Sequence, residues 1–101
     1  MARPNPDSMD EVYERMREFR MALDRFHESL AESLAELERS HRVVDPLWTD
    51  HARKMYDDRY RPLQQRLLQY VRTDGPALSE FLKQRHMWLG RYLYGDRWGH
   101  P

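Results

Sequence analysis

A seven-residue repeat of apolar side chains runs through the first third of this chain and limits it to folds built from long helices. The repeat advances in alternating steps of four and three, with Ser33 filling one missing step: Val12, Met16, Phe19, Leu23, Phe26, Leu30 and Leu37. This spacing is typical of a coiled-coil seam between two helices. A helix from Met9 to Ser40 would be about 48 Å long, so only another long helix can cover its seam.

The first helix is predicted over residues 8–41, after an irregular lead at residues 1–7 that contains two prolines. Ser8 and Glu11 have the spacing of a capping box, in which each side chain satisfies a free backbone amide of the other residue. The segment Ser40 to Val44 is expected to form a turn. Residues 8–41 therefore supply the first arm of a helical hairpin.

The second helix is predicted over residues 45–72. Asp45 is placed to cap it and Pro46 to occupy its first turn, where a missing N–H is not needed. Pro62 lies inside the pattern and would clash with the carbonyl of Asp58, so a kink or break is expected near residues 58–62.

A shorter third helix is predicted over residues 77–93, because Gly75 and Pro76 form a strong stop signal before it. Its apolar stripe consists of Leu78, Phe81, Leu82, Trp88, Leu89 and Tyr92. Residues 94–101 are expected to form a tail. The whole chain, residues 1–101, is thus predicted to be one all-α domain: a long antiparallel helical hairpin with a short third helix, completing a bundle by association.

Charge divides the chain into two complementary parts. Residues 1–40 contain 10 acidic and 6 basic side chains, a net charge of −4, and residues 41–101 contain 7 and 11, a net charge of +4. Opposite charges favour packing of the two parts, within one chain or between two. Arginines at 53, 59, 61, 66 and 72 are interpreted as ion-pair partners of the acidic first helix. Because the total charge is zero, no nucleic-acid partner is predicted.

Several classes of protein are excluded or left open by composition. The chain has no cysteine, which excludes disulfides and thiolate metal sites. No apolar run reaches the ~20 residues of a membrane span, and no apolar segment near the N-terminus forms a secretory signal. We therefore expect no membrane insertion, and the localisation stays open between the cytoplasm and secretion without a cleaved signal peptide.

Catalytic and metal-binding residues are not evident. Glu38 and His41 supply one E-x-x-H step, and His51 lies near enough in sequence to join them as a metal ligand. The alternative to a metal ligand is a histidine that simply faces water at a helix end. His27, His86 and His100 have no carboxylate or serine at the spacing of a catalytic pair. The sequence predicts no enzyme activity, no cofactor and no metal.

The junction of the two long helices carries the most specific pattern in the chain. Trp48 is followed at helical spacing by Ala52, Tyr56 and Tyr60, which we predict to pack at the junction. This arrangement resembles the WXG100 (ESAT-6-like) family over about residues 9–72. Trp48 matches the first residue of the family's W-x-G turn, but Asp50 stands where the family has glycine. The alternative is that Trp48 anchors an ordinary three-helix domain.

The resemblance implies a helical hairpin of about 100 residues that forms an antiparallel dimer and is exported by a type VII secretion system. It further implies an export element of the form Y-x-x-x-D/E after the second helix. Tyr92 with Asp96 has that form, as does Tyr70 with Asp74. Trp88 and Trp98 lie nearby, and this aromatic segment is predicted to face an export machine or another partner.

The sequence therefore predicts a non-enzymatic helical protein that acts by protein-protein association, as a homodimer or on a partner helix. A WXG100-like secreted factor is the narrower form of this prediction. An adaptor or structural subunit of a larger intracellular assembly is the alternative, and a metal-binding helical bundle is a distant third.

Overall fold

A computed structural model describes residues 6–98, with side chains for residues 8–95. Across that range the chain is almost wholly helical and contains no strand, which confirms the all-α prediction. Two long helical stretches lie on either side of a short turn. None of the helices it describes is long and apolar enough to cross a membrane.

Helix α1 spans Pro6–Val44 and is longer at both ends than predicted. Its start takes in Pro6, because proline in the first turn loses no intrahelical hydrogen bond. Its end takes in the segment that was predicted to be a turn. The helix stops only where Pro46 disfavours a helical conformation in the residue before it.

The turn between the stretches is a single 3-10 turn over Asp45–Leu47. Trp48 and Thr49 are extended, and α2 (Asp50–Met55) begins after them. The cap is Thr49, whose Oγ1 atom accepts a hydrogen bond from the Ala52 amide at 3.2 Å. The predicted start of the second helix at Asp45 was therefore wrong by one short turn.

Neither internal proline stops the second stretch. A π-helical turn over Tyr56–Tyr60 precedes α3 (Arg61–Gln69), and another over Tyr70–Asp74 precedes α4 (Gly75–Trp98). In each turn an amide bonds to a carbonyl five residues back, from Arg61 to Tyr56 and from Gly75 to Tyr70. The wider turn gives the proline that follows it room beside the preceding carbonyl.

The predicted stop at Gly75 and Pro76 is therefore corrected, since no separate third helix forms in the described residues. Gly75 has right-handed helical angles, φ −63° and ψ −53°. The predicted tail from residue 94 is also helical as far as Trp98.

Tyr56 and Pro62 have the same spacing as Tyr70 and Pro76, fourteen positions later. This Y-x5-P repeat is the sequence signal of the two π-helical turns.

The chain divides into two compact units. Unit 1 contains residues 1–25 and 77–101, and unit 2 contains residues 26–76. In unit 1, Asp10 meets Tyr94 and Asp24 meets Ser79, so its two helical segments are antiparallel. Unit 2 is a helical hairpin in which His27 meets Tyr70 and His41 meets Tyr56.

Candidate protein-interaction surface

The row of α1 that makes the contacts inside each unit lies beside the predicted apolar seam and does not coincide with it. The residues of this inward row lie at steps of seven: Tyr13, Arg20, His27, Leu34 and His41. Leu34 is 5% exposed and is the one large apolar side chain among those described that is buried rather than partly exposed. Four of the five positions are polar, so the contacts inside each unit depend on rings and hydrogen bonds.

In unit 1 the inward row meets His86, which is 4% exposed. Arg20 Nη1 donates to His86 Nδ1 at 2.8 Å, and His86 Nε2 contacts the Tyr13 carbonyl oxygen at 3.0 Å. Because a guanidinium can only donate, Nδ1 must accept and the ring proton is assigned to Nε2. The Tyr13 ring packs on His86 with 4.1 Å between centroids. His86 therefore acts as a structural bridge between the two segments.

In unit 2 the inward row meets Tyr70, where the second π-helical turn begins. His27 Nε2 and the Tyr70 hydroxyl share a hydrogen bond of 2.8 Å. Gly75 is buried beside them, and a Cβ atom there would lie 3.0 Å from the Tyr70 carbonyl oxygen and 3.2 Å from His27 Nε2. The glycine thus permits a close approach at this point, where a side chain would be crowded, and it does not supply a positive φ angle.

The hairpin junction is organised around His41. Its ring stacks on Tyr56 at 4.1 Å and meets the edge of Trp48 at 5.1 Å. Trp48 and Tyr56 are also in contact, with 5.2 Å between their ring centroids. Trp48 is half-buried here, Ala52 lies on the same side, and Tyr60 is exposed. The sequence reasoning placed Trp48 at the junction but missed the histidine between the two rings.

No metal site forms from the residues considered for one. His41 faces Asp45, with 3.6 Å between Nε2 and Oδ1, and Glu38 faces Arg42 at 3.9 Å. His51 is exposed. Among the side chains that can be described, no group of three or more His, Asp or Glu is placed to hold an ion.

The apolar seam of α1 is largely uncovered. Phe19 is 57% exposed and Phe26 is 54% exposed, and Val12 and Leu37 are similarly open. Met16, Leu23 and Leu30 are half-buried. Within each unit the second helical segment contacts the inward row and leaves the outer edge of the seam in water. A helix from outside the unit could therefore pack against it.

Unit 1 has a groove on the seam side, with a volume of about 490 Å³. Its apolar lining comes from Val12, Met16 and Phe19 on α1 and Leu82 on α4. Polar side chains at its edges are Ser8, Glu11, Arg15 and Arg20. In unit 2 the second stretch likewise exposes Tyr60 and Leu63. Each unit, taken by itself, thus combines polar internal contacts with exposed apolar side chains.

The predicted ion pairs between the acidic first helix and the arginines of the second do not form in the described structure. Arg53 pairs with Asp45 and Asp50, and Arg61 pairs with Asp57. Arg59, Arg66 and Arg72 make no ion pair in that same part of the chain. The correction has a physical reason, since the inward row of α1 carries rings and one arginine, and its carboxylates lie elsewhere on the helix.

The predicted partner-facing residues lie on α4. Trp88 is 63% exposed and Tyr92 is 71% exposed, and their rings stack with 6.3 Å between centroids. The side chains of Asp96 and Trp98 lie outside the described residues.

Comparison with protein-family models, with curated proteins and with solved structures found no match to this chain.

Proposed function

We propose that this protein is a helix-association module that has no enzymatic role and binds through the exposed apolar seam of α1. The observation that carries the proposal is that four apolar residues of the seam are exposed, Val12, Phe19, Phe26 and Leu37, while the inward row of α1 runs through other positions. A row used only for internal packing would be covered by the second segment of its own unit. Here the outer edge of the apolar row is exposed, and contiguous exposed apolar surface is typical of interaction sites.

A second copy or a helix of another protein would satisfy the same surface. The heptad spacing of the seam is the geometry by which side chains of one helix enter the spaces of another. A chain of about 100 residues also buries only ~60–70% of the surface of its unfolded form. Covering the seam would therefore add stability as well as binding energy.

The test is the molar mass in solution of the intact chain and of the double variant Phe19→Asp, Phe26→Asp, measured by light scattering after size exclusion. Both side chains are exposed, so the variant should remain helical while its association through the seam is lost. The matched control is Met21→Asp, because Met21 is exposed at 47% but lies about 200° around the helix from Phe19. A monomeric wild-type chain would remove the homodimer form of the proposal and leave a partner helix.

The narrower proposal is a WXG100-like factor exported by a type VII secretion system, and the packing of Trp48 at the hairpin junction favours it. Trp48 follows the first helix and contacts rings from both arms. Export of the intact chain from a host that carries such a system is the direct measurement, with Tyr92→Ala as the variant that should block it. Equal export of both forms in a strain lacking the secretion ATPase would exclude this route.

A further inference from the structure

The outer face of α4 carries a row of side chains that is separate from the seam. We name this row the α4 strip, and its members are Leu78, Phe81, Arg85, Trp88, Tyr92 and Gly95. Their steps along the helix are three, four, three, four and three. This is the spacing by which one helix packs along another. The strip lies entirely within unit 1.

The strip faces away from the interior of unit 1. At about 100° per residue, Phe81, Trp88 and Tyr92 lie roughly 120–160° around α4 from the buried His86. Leu82, which lines the seam-side groove, lies only about 40° from His86. A helix that filled the groove would therefore leave the aromatic part of the strip uncovered.

The contacts within the strip leave its cation and its rings available. The Arg85 guanidinium lies over the Phe81 ring, 5.1 Å from its centroid. In the described part of the chain Arg85 has no carboxylate partner, and neither have Lys83 and Arg91. Exposed tryptophan, tyrosine and arginine are the residues that most often supply binding energy at interfaces.

We propose that two copies of the chain associate through their α4 strips, with the two helices antiparallel. The step pattern reads the same in both directions about a point between His86 and Met87. In that arrangement Phe81 of one copy faces Tyr92 of the other. Arg85 likewise faces Trp88 of the second copy, in a cation-π contact. Leu78 meets Gly95, which has no side chain to obstruct it.

A parallel arrangement of the same strips is disfavoured by charge. Each residue would then face its own counterpart, so the two Arg85 side chains would meet in an apolar contact. The antiparallel arrangement separates them and gives each an aromatic ring. At its edge Gln84 of one copy lies near Arg91 of the other, which brings no like charges together. The strip is thus self-complementary, as a two-fold interface requires.

The size of the strip indicates a weak contact. The exposed parts of its three rings amount to roughly 400 Å² per copy, which is below the area of a standard stable interface. We expect association in the high micromolar range, adding to any assembly made through the seam. This proposal does not depend on the seam proposal, because it uses other residues.

Disulfide cross-linking tests the arrangement directly, since the chain has no cysteine of its own. One sample carries Leu78→Cys and the other Gly95→Cys, and they are mixed and oxidised in a background with Phe19→Asp and Phe26→Asp. Among the residues whose side chains are described, a Cβ at position 95 meets only Arg91 Cγ, at 3.4 Å, so the cysteine fits. Positions 78 and 95 are about 26 Å apart along the helix, whereas a disulfide needs Cα atoms within about 7 Å.

We expect the mixed 78–95 product to exceed the statistical half of all dimers. A statistical mixture, a majority of like-with-like dimers or no dimer at all would overturn the proposal. The Phe19→Asp, Phe26→Asp background removes the seam, so the mixed product reports on the strip alone. If the mixed product forms in this background, the strip proposal stands whatever the result for the seam. If no mixed product forms but the wild-type chain still associates, only the seam proposal stands.

Sedimentation in the same background supplies a second measurement on variants without cysteine. Arg85→Glu removes two cation-aromatic contacts per dimer, so we expect association to weaken about tenfold or more. Trp88→Ala should weaken it similarly, while Arg85→Lys should retain most of it. The matched control is Met87→Ala, an exposed residue on another side of α4. Equal weakening by Met87→Ala, or none by Arg85→Glu, would contradict the assigned face.

Discussion

Arg20 donates a hydrogen bond to the buried ring of His86 across 66 positions of sequence, with 2.8 Å between Nη1 and Nδ1. The other ring nitrogen of His86 lies 3.0 Å from the Tyr13 carbonyl oxygen. One imidazole thus joins the two segments of unit 1 through both of its nitrogens. Polar contacts of this kind join the two segments alongside half-buried apolar side chains such as Met16 and Leu89.

We expect His86→Ala to destabilise the chain by about 2–3 kcal/mol, since it leaves the Arg20 donor without its partner and opens a space beneath Tyr13. Chemical denaturation monitored by circular dichroism measures the change. His51→Ala is the matched control, because His51 is exposed and its loss should change stability by less than about 0.5 kcal/mol. Equal stability of the two variants would show that the bridge contributes nothing.

Two glycines of α4 should respond oppositely to the same substitution. A Cβ at Gly90 would lie 2.9 Å from Cε2 of Tyr13, whose ring is held by His86 and Tyr94. We expect Gly90→Ala to destabilise by about 1–3 kcal/mol through overpacking. At Gly95 the nearest described side-chain atom is 3.4 Å away, so Gly95→Ala should stabilise the helix by up to about 1 kcal/mol. Melting temperatures that move in the same direction would contradict the packing of α4 on Tyr13.

The helical class of the fold could be predicted from the heptad period, since steps of three and four fit only a helix. The continuity of the second stretch could not, because Pro62 and Pro76 are strong stop signals by themselves. Their effect is avoided by π-helical turns, and no rule about single residues anticipates those. The Y-x5-P repeat can be seen in the sequence. That its two tyrosines each contact a histidine of α1 can be seen only in the structure.

The contacts inside the units were harder to predict than the seam for a related reason. Tyr13, His27 and His41 recur at multiples of seven, but their side chains carry polar groups and so do not contribute to an apolar periodicity. The long-range partners of the arginines were predicted from net charge alone. Charge balance does not fix which side of a helix carries the carboxylates, and the ion pairs seen among the described side chains join residues close in sequence.

The two tryptophans with described side chains should differ in their effect on stability. Trp48 is half-buried against His41 and Tyr56, so Trp48→Ala should cost about 1.5–3 kcal/mol, less than the ~3–5 kcal/mol of a fully buried ring. Trp88 is exposed at 63%, and Trp88→Ala should change stability by less than about 0.5 kcal/mol in dilute solution. Urea titration of both variants measures this. A larger cost at Trp88 would place it inside the folded unit instead of on an interface.

The segment after Gly90 should contribute to the stability of unit 1, although the sequence predicted a tail over residues 94–101 and an aromatic segment that faces a partner. The Tyr94 hydroxyl donates to Asp10 Oδ1, and its ring meets the edge of Tyr13 with 5.6 Å between centroids. Tyr94→Phe removes the hydrogen bond and should cost about 1 kcal/mol, a fall in melting temperature of roughly 4–8 °C for a domain of this size. Tyr92→Phe, on an exposed ring two residues away, is the control and should melt like the wild type.

Deletion of residues 91–101 should lower the melting temperature further, because it removes the Tyr94 ring as well. If Tyr94→Phe and the deletion both melt with the wild-type chain, residues 91–98 do not pack on α1 and the segment is free to act as a signal.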